Sequence, residues 1–318
     1  MRSDRLYLNT HKPLNFKFTQ NKFDFIVEEL ASRKFKDKGN FFIMKIQKEY
    51  LSTMELIYTI SKELNIPENL IGYAGLKDKY ATTTQYISIP LNKSRGYEAI
   101  NSKNIKILET YKDDQKIKLG DLKGNRFKIT LKDIDPKSVH VIYQNISKIQ
   151  KHGMANYFGY QRFGRDMNFE KAKRVAYGED HFSDKKVENL LVSTYQSYFF
   201  NSWLYKRIEL SKEQGLNKLE QLEGDILSLE DRKTITGLLP GRKIIRAKDK
   251  ARTIEKRFDD EFLHQKGSRR DAWVYPQNIK NKYIAEKNQM QLEFELPKSS
   301  YATVFIESLA NKMIEIKK

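Results

Sequence analysis

The chain has 318 residues, with 59 Lys and Arg against 41 Asp and Glu, a formal net charge of +18. At roughly 150 residues per domain this is a two-domain length, and a cationic excess of this size serves a polyanion. Nucleic acid is expected before a membrane, because no long apolar span, signal peptide or lipidation motif is present. Cysteine is absent, which excludes disulfides, thiolate nucleophiles and thiolate-held metal clusters and is compatible with a cytoplasmic location. The five histidines, His11, His140, His152, His181 and His264, show no metal-ligand spacing. No phosphate-binding loop or dinucleotide fingerprint occurs, so no cofactor is expected. Chemistry is left to carboxylates, hydroxyls, amines and electrostatics.

The first half alternates strands and helices. LNFKFT (14–19), FDFIVE (23–28) and FFIMKI (41–46) read as strands. Ser52 and Glu55 form a capping box, followed by an apolar stripe of Leu56, Ile57, Ile60 and Leu64 that Pro67 ends. TQYISIP (84–90), IKILETY (105–111) and NRFKITL (125–131) are further strands. A helix starts at Asp135–Pro136, carries Val139, Ile142, Ile146 and Ile149 on one face, and stops at Gly153.

The texture then changes. A long helix is expected over 186–210, rich in aromatics from Tyr195 to Tyr205, followed by TGLLPG (236–241) and basic runs. Alternation returns at Met290, Leu292, Phe294 and Leu296, before a short last helix. The expected fold class is α+β with a mainly antiparallel sheet. The C-terminal return places a second domain, 153–274, inside a first one made of 1–152 and 275–318.

Four stretches could carry chemistry. GYAGLKDKYATTTQ (72–85) places Asp78 between two lysines after an apolar, glycine-rich run. It is either a turn aspartate or a carboxylate that neighbouring cations keep ionised for nucleophilic work. GNRF (124–127) is either a hairpin turn or an amide beside an aromatic that can read and stack on a base. NYFGYQRFG (156–164) interleaves aromatics with Arg162, as a packed loop or an RNA contact. GSRR (267–270) is a solvated turn or a phosphate clamp, and Arg162, Arg269 and Arg270 are the expected phosphate contacts.

Taken together and in this order, AGLKDKYATTTQ, GNRF, NYFGYQRFG, STYQSYFFN, GSRR and PKSSYAT resemble the TruD family of tRNA pseudouridine synthases. The resemblance spans residues 18 to 309. It implies a pseudouridine synthase catalytic domain with a family-specific insert, tRNA as partner, no cofactor, and isomerisation of uridine 13 of tRNA. A monomer is favoured. By motif, Asp78 is the catalytic aspartate, Asn125 reads the uracil or ribose edge, Phe127 stands where other pseudouridine synthases keep a tyrosine, and Phe25 and Tyr301 line the pocket. The alternative is a non-catalytic tRNA-binding or RNA-folding protein on the same scaffold; a metal-dependent nuclease would need clustered carboxylates, which are not found.

The chain departs from the family pattern in places. Thr19 stands where the family keeps a lysine that pairs with the catalytic aspartate, and Lys17, two residues back on the same strand face, is expected to replace its charge. Ala155 replaces a proline, and Glu307–Ser308 stand where an Arg–Glu pair is common, so no role is carried over to them.

Overall fold

The computed structural model describes residues 4–163 and 169–317; Gly164, the last residue of NYFGYQRFG, lies outside them. In chain order the first half contributes β1 (Phe18–Thr19), β2 (Phe25–Ala31), β3 (Phe41–Glu49), α1 (Thr53–Leu64), β4 (Gly72–Tyr73), β5 (Thr82–Pro90), β6 (Ile105–Asp113) and β7 (Leu122–Leu131). The middle contributes α2 (Val139–His152), β8 (Met154–Ala155), α3 (Phe169–Tyr177), α4 (Lys185–Glu213), β9 (Thr236–Leu239), α5 (Asp249–Glu255), β10 (Ser268–Asp271) and β11 (Trp273–Val274). The end contributes β12 (Gln277–Ile284), β13 (Gln289–Pro297), α6 (Ala302–Ala310) and β14 (Ile316–Lys317). The fold is α+β, as the periodicity predicts.

The chain forms two compact units. The first holds residues 15–139, 276–299 and the last strand. Its core is an eight-stranded sheet in the order β12-β13-β7-β2-β5-β3-β6, with β4 added beside β5. Only the β2–β5 pair is parallel; the other pairs of this sheet are antiparallel. Helix α1 begins as the capping box requires: Ser52 accepts from the Glu55 N–H at 3.2 Å, and Glu55 accepts from the Ser52 N–H at 2.7 Å. It lays Leu56, Ile57 and Ile60 over Phe42, Met44, Ile46, Ile87 and Ile89 of β3 and β5. Asp135 caps as expected, but its first turn is 3₁₀ before α2 begins at Val139.

The second unit holds residues 4–14, 140–275 and 300–314 apart from the undescribed stretch. Its aromatic core centres on α4, with Tyr157, Phe158, Tyr198, Phe200, Trp203 and Trp273 buried together. Glu307 of α6, which sequence reasoning left without a role, is its polar anchor. Both Glu307 oxygens accept from the Arg5 guanidinium at 2.6 Å, and the Tyr7 hydroxyl donates to one of them at 2.6 Å. All three side chains are buried, so each depends on the others for its hydrogen bonds. Arg5→Met strands the Glu307 carboxylate and is expected to lower stability by about 3–5 kcal/mol, read as a shift of the urea midpoint at constant slope.

Candidate active site

The loop that carries Asp78 is built from the sheet upward. β4 seats its start, and Gly72 is obligatory there: a Cβ would lie 2.3 Å from Ser88 Oγ and 2.4 Å from the Ile117 carbonyl. Lys77 then turns inward. Its ammonium lies 2.5 Å from a Glu29 carboxylate oxygen, both side chains buried, as an ion pair rather than an aligned hydrogen bond. The other Glu29 oxygen accepts from the Tyr86 N–H at 3.2 Å. The Lys77 N–H donates to Thr53 Oγ1 at 2.8 Å, and that hydroxyl donates to Gln85 Oε1 at 2.9 Å. Lys79 turns outward to Glu55 at 2.6 Å. The ammonium of Lys79 and the hydrogen bonds from Ser52 hold the Glu55 carboxyl down at about 2. Asp78 is therefore flanked by two lysines that each have a glutamate of their own, and it sits half-buried between them.

A third lysine approaches from beneath. Lys48 follows Phe42, Met44 and Ile46 at the inward positions of β3 and is 1% exposed. Its ammonium donates to the Leu51 carbonyl at 2.5 Å and to the Asp78 carbonyl at 3.3 Å. Burial pushes its pKa down to about 8, while the charge of Asp78 opposes that fall. Lys17 does not fill the position expected of it: it pairs with Asp133 at 2.6 Å on an exposed edge. The strand there is only Phe18–Thr19, so the alternation that was to aim Lys17 at the site does not extend to it.

Strand register places the remaining candidates. Directly opposed residues share a sheet face, so Lys48, Thr83, Val27, Phe127 and Phe294 form one row across five strands. The adjacent row on that face runs Ile46, Gln85, Glu29, Asn125 and Leu296. Phe25 stacks on Phe127 with ring centroids 6.2 Å apart and planes within 9°, and Phe127 stacks on Phe294 at 5.6 Å. Phe25 and Phe127 are thus part of a buried aromatic ladder as well as candidates for the site. Thr83 Oγ1, Gln85 Nε2 and Asn125 Oδ1 are buried and meet no partner. Such atoms each cost about 1–3 kcal/mol if left unmade.

Phe25, Asp78, Asn125 and Phe127 therefore lie in one compact unit, and Tyr301 lies in the other. Tyr301 packs edge-on against Phe158, with centroids 6.1 Å apart. Four motifs meet there. Asn156 of NYFGYQRFG accepts from Arg270 at 2.8 Å and from Ser300 at 3.0 Å, and the Arg270 guanidinium lies 4.0 Å over the Phe158 ring and 5.4 Å from Phe200. The expectation of phosphate contacts from GSRR is corrected by this arrangement. Arg270 is buried, and burial lowers its pKa to about 10. Arg269 donates to Thr236, the Ile245 carbonyl and Glu255. GSRR is not a solvated turn: β10 pairs with β9, and Arg269 and Arg270, on opposite faces of that strand, each find partners within the unit. Arg162 lies over Phe158 at 5.0 Å.

The family model of tRNA pseudouridine synthase D (TruD) matches residues 3–178. The tRNA pseudouridine synthase D of Wolinella succinogenes is 38% identical, covering 98% of this chain and 99% of its own length. That of Sulfurimonas denitrificans is 36% identical, with the same coverage. The chain belongs to the TruD family. A solved structure of a Methanosarcina mazei protein described as tRNA pseudouridine synthase D shares the fold, with a TM-score of 0.63 at 24% identity over 97% of this chain and 95% of that one.

Sequence reasoning missed Lys48, Glu29, Thr53 and Gln85. The signal was available for three of them: each is a polar residue in phase with the apolar positions of its strand. Thr53→Val removes the acceptor of the Lys77 N–H and the donor to Gln85. It is expected to cost about 1–3 kcal/mol and to speed amide exchange at Lys77 more than at β5, read by hydrogen exchange.

Proposed function

We propose that this TruD-family chain isomerises uridine 13 of tRNA to pseudouridine, with Asp78 as the catalytic carboxylate. The observation that carries this reading is the setting of Asp78: a half-buried carboxylate on a loop whose Lys77 pairs with Glu29, the residue directly opposite Asn125 on the sheet, with Phe127 in the adjacent row. The reaction is an isomerisation. The N1–C1′ bond breaks, C5 bonds to C1′, a proton leaves C5, and N1 gains one. No redox or group-transfer partner is needed for that balance.

The roles follow from chemistry. Asp78 acts at the sugar or the base, helped by its charged form. Asn125 supplies an acceptor and a donor for the uracil edge. Phe127 and Phe25 give an apolar wall for a base that has left its stack, and contacts of that kind offset the few kcal/mol of unstacking. Tyr301, which lies in the other unit, is assigned to substrate binding by motif alone. The return of β12 and β13 to pair beside β7 supports a catalytic domain interrupted in sequence, proposed as 1–152 and 275–318 with an insert at 153–274, although 4–14, 140–152 and 300–314 group with the insert in one compact unit. Residues 153–274 bring the long α4 and its aromatics. A cytoplasmic monomer acting on tRNA fits this reading. Among the described residues no helix is long and apolar enough to cross a membrane.

Asp78→Asn is expected to abolish new pseudouridine in an unmodified tRNA pool, mapped at nucleotide resolution, while tRNA affinity stays near wild type. Turnover by that variant would remove Asp78 from the chemistry; a wild-type protein that binds tRNA and makes no pseudouridine would favour the non-catalytic alternative. Affinity is also expected to fall at least about tenfold between roughly 50 and 200 mM salt, because phosphate contacts release counterions. A flat salt response, measured by filter binding, counts against tRNA.

A further inference from the structure

We propose that Lys48 is the positioning cation of Asp78, tying the loop to the sheet floor and supplying the charge beside the carboxylate. This rests on the assignment of Asp78 made above. Every other lysine considered for the task is engaged elsewhere. Lys77 faces Glu29, Lys79 faces Glu55, and Lys17 faces Asp133. Lys48 alone of the four donates to the Asp78 main chain, at 3.3 Å, while its second acceptor is the Leu51 carbonyl at the turn between β3 and α1. One ammonium thus joins two backbone segments whose spacing fixes where the Asp78 carboxylate sits.

The electrostatics agree with the geometry. A buried ammonium held only by carbonyls would neutralise unless an anion compensated it. The charges that bear on Lys48 are Asp78 and Lys77 from the loop and Glu55 from α1. Asp78 is the largest of these and favours the ammonium, Lys77 opposes it, and burial dominates, leaving the group to lose its proton near pH 8. Below that value Lys48 is a cation and Asp78 has a counter-charge. Above it Lys48 no longer contributes a charge, and the rate is expected to fall.

The test uses the full chain and an unmodified tRNA pool labelled with tritium at uridine C5, with tritium release followed under single-turnover conditions. Lys48→Met is expected to slow release about 100-fold, the scale of a misplaced catalytic group, with tRNA affinity within about threefold of wild type. Lys48→Arg, which stays charged, is expected to restore most of the rate. It should also abolish the alkaline fall that wild type shows near pH 8. A Lys48→Met enzyme as fast as wild type overturns the inference, as does an unchanged alkaline fall in Lys48→Arg. Should Lys48→Met fail to fold, as circular dichroism would show, the profiles of wild type and Lys48→Arg still decide: a wild-type rate flat across the alkaline range overturns it. The two assignments separate cleanly. Activity in Asp78→Asn removes the catalytic reading itself, whereas an inactive Asp78→Asn beside a fully active Lys48→Met removes only the role of Lys48.

Discussion

The Glu29–Lys77 ion pair is the constraint on which the candidate site depends. Glu29 stands on the inward face of β2, in phase with Phe25 and Val27, where a carboxylate has no water to turn to. Its charge is tolerable there only because Lys77 reaches down to it at 2.5 Å. That demand fixes the direction of the loop. With Lys77 pulled into the floor and Lys79 drawn out to Glu55 at the start of α1, the residue between them has little freedom left. The relay through Thr53 to Gln85 ties the same peptide unit to the helix and to the central strand. Burying an ion pair gains little net stability over an apolar pair of the same volume. Its value here is positional.

That same sheet face carries an unusual polar load. Helix α1 covers the apolar end of β3 and β5, and the rows beyond it change to Lys48, Thr83, Gln85, Glu29 and Asn125. Several of these atoms have no partner, which a stability-driven core would not keep. A catalytic carboxylate needs a floor that is rigid and polar at once, and a sheet supplies rigidity through its ladders whatever the side chains are. The aromatic ladder of Phe25, Phe127 and Phe294 adds the apolar half of the same surface. The residues proposed to meet the base are thus also core residues, and substitutions at Phe25 or Phe127 are expected to lower stability whatever else they do.

Much of the first unit was legible because alternation and capping are local. The spans of β3, β5, β6, β7 and β13 and the capping box of α1 follow from periodicity and end signals, as does the extent of α4 in the second unit. β12 was not legible. It is an edge strand of QNIKNKYI with mostly exposed side chains, so no apolar alternation marks it. Within the site, Asp78, Asn125, Phe25 and Phe127 were reached through the family resemblance, not through spacing. The lysine assignments failed for a physical reason. Lys17 and the arginines of GSRR were read as free cations because sequence shows charge but not its partner, and the partners sit in other elements: Asp133 for Lys17, Glu255 of α5 for Arg269 and Asn156 for Arg270. Lys48 was passed over for the opposite reason: it reads as the polar end of an apolar strand until register shows that it faces inward.

The local sequence around Asp78 suggests an excess of positive charge, two lysines to one aspartate. In three dimensions the group is balanced: Lys48, Lys77 and Lys79 against Glu29, Glu55 and Asp78. The difference matters for chemistry. A carboxylate crowded by surplus cations loses basicity, and here each of the three carboxylates has a lysine that bears on it. It also separates two tasks that composition merges. The excess of +18 lies outside this cluster, where it can attract polyanions at long range.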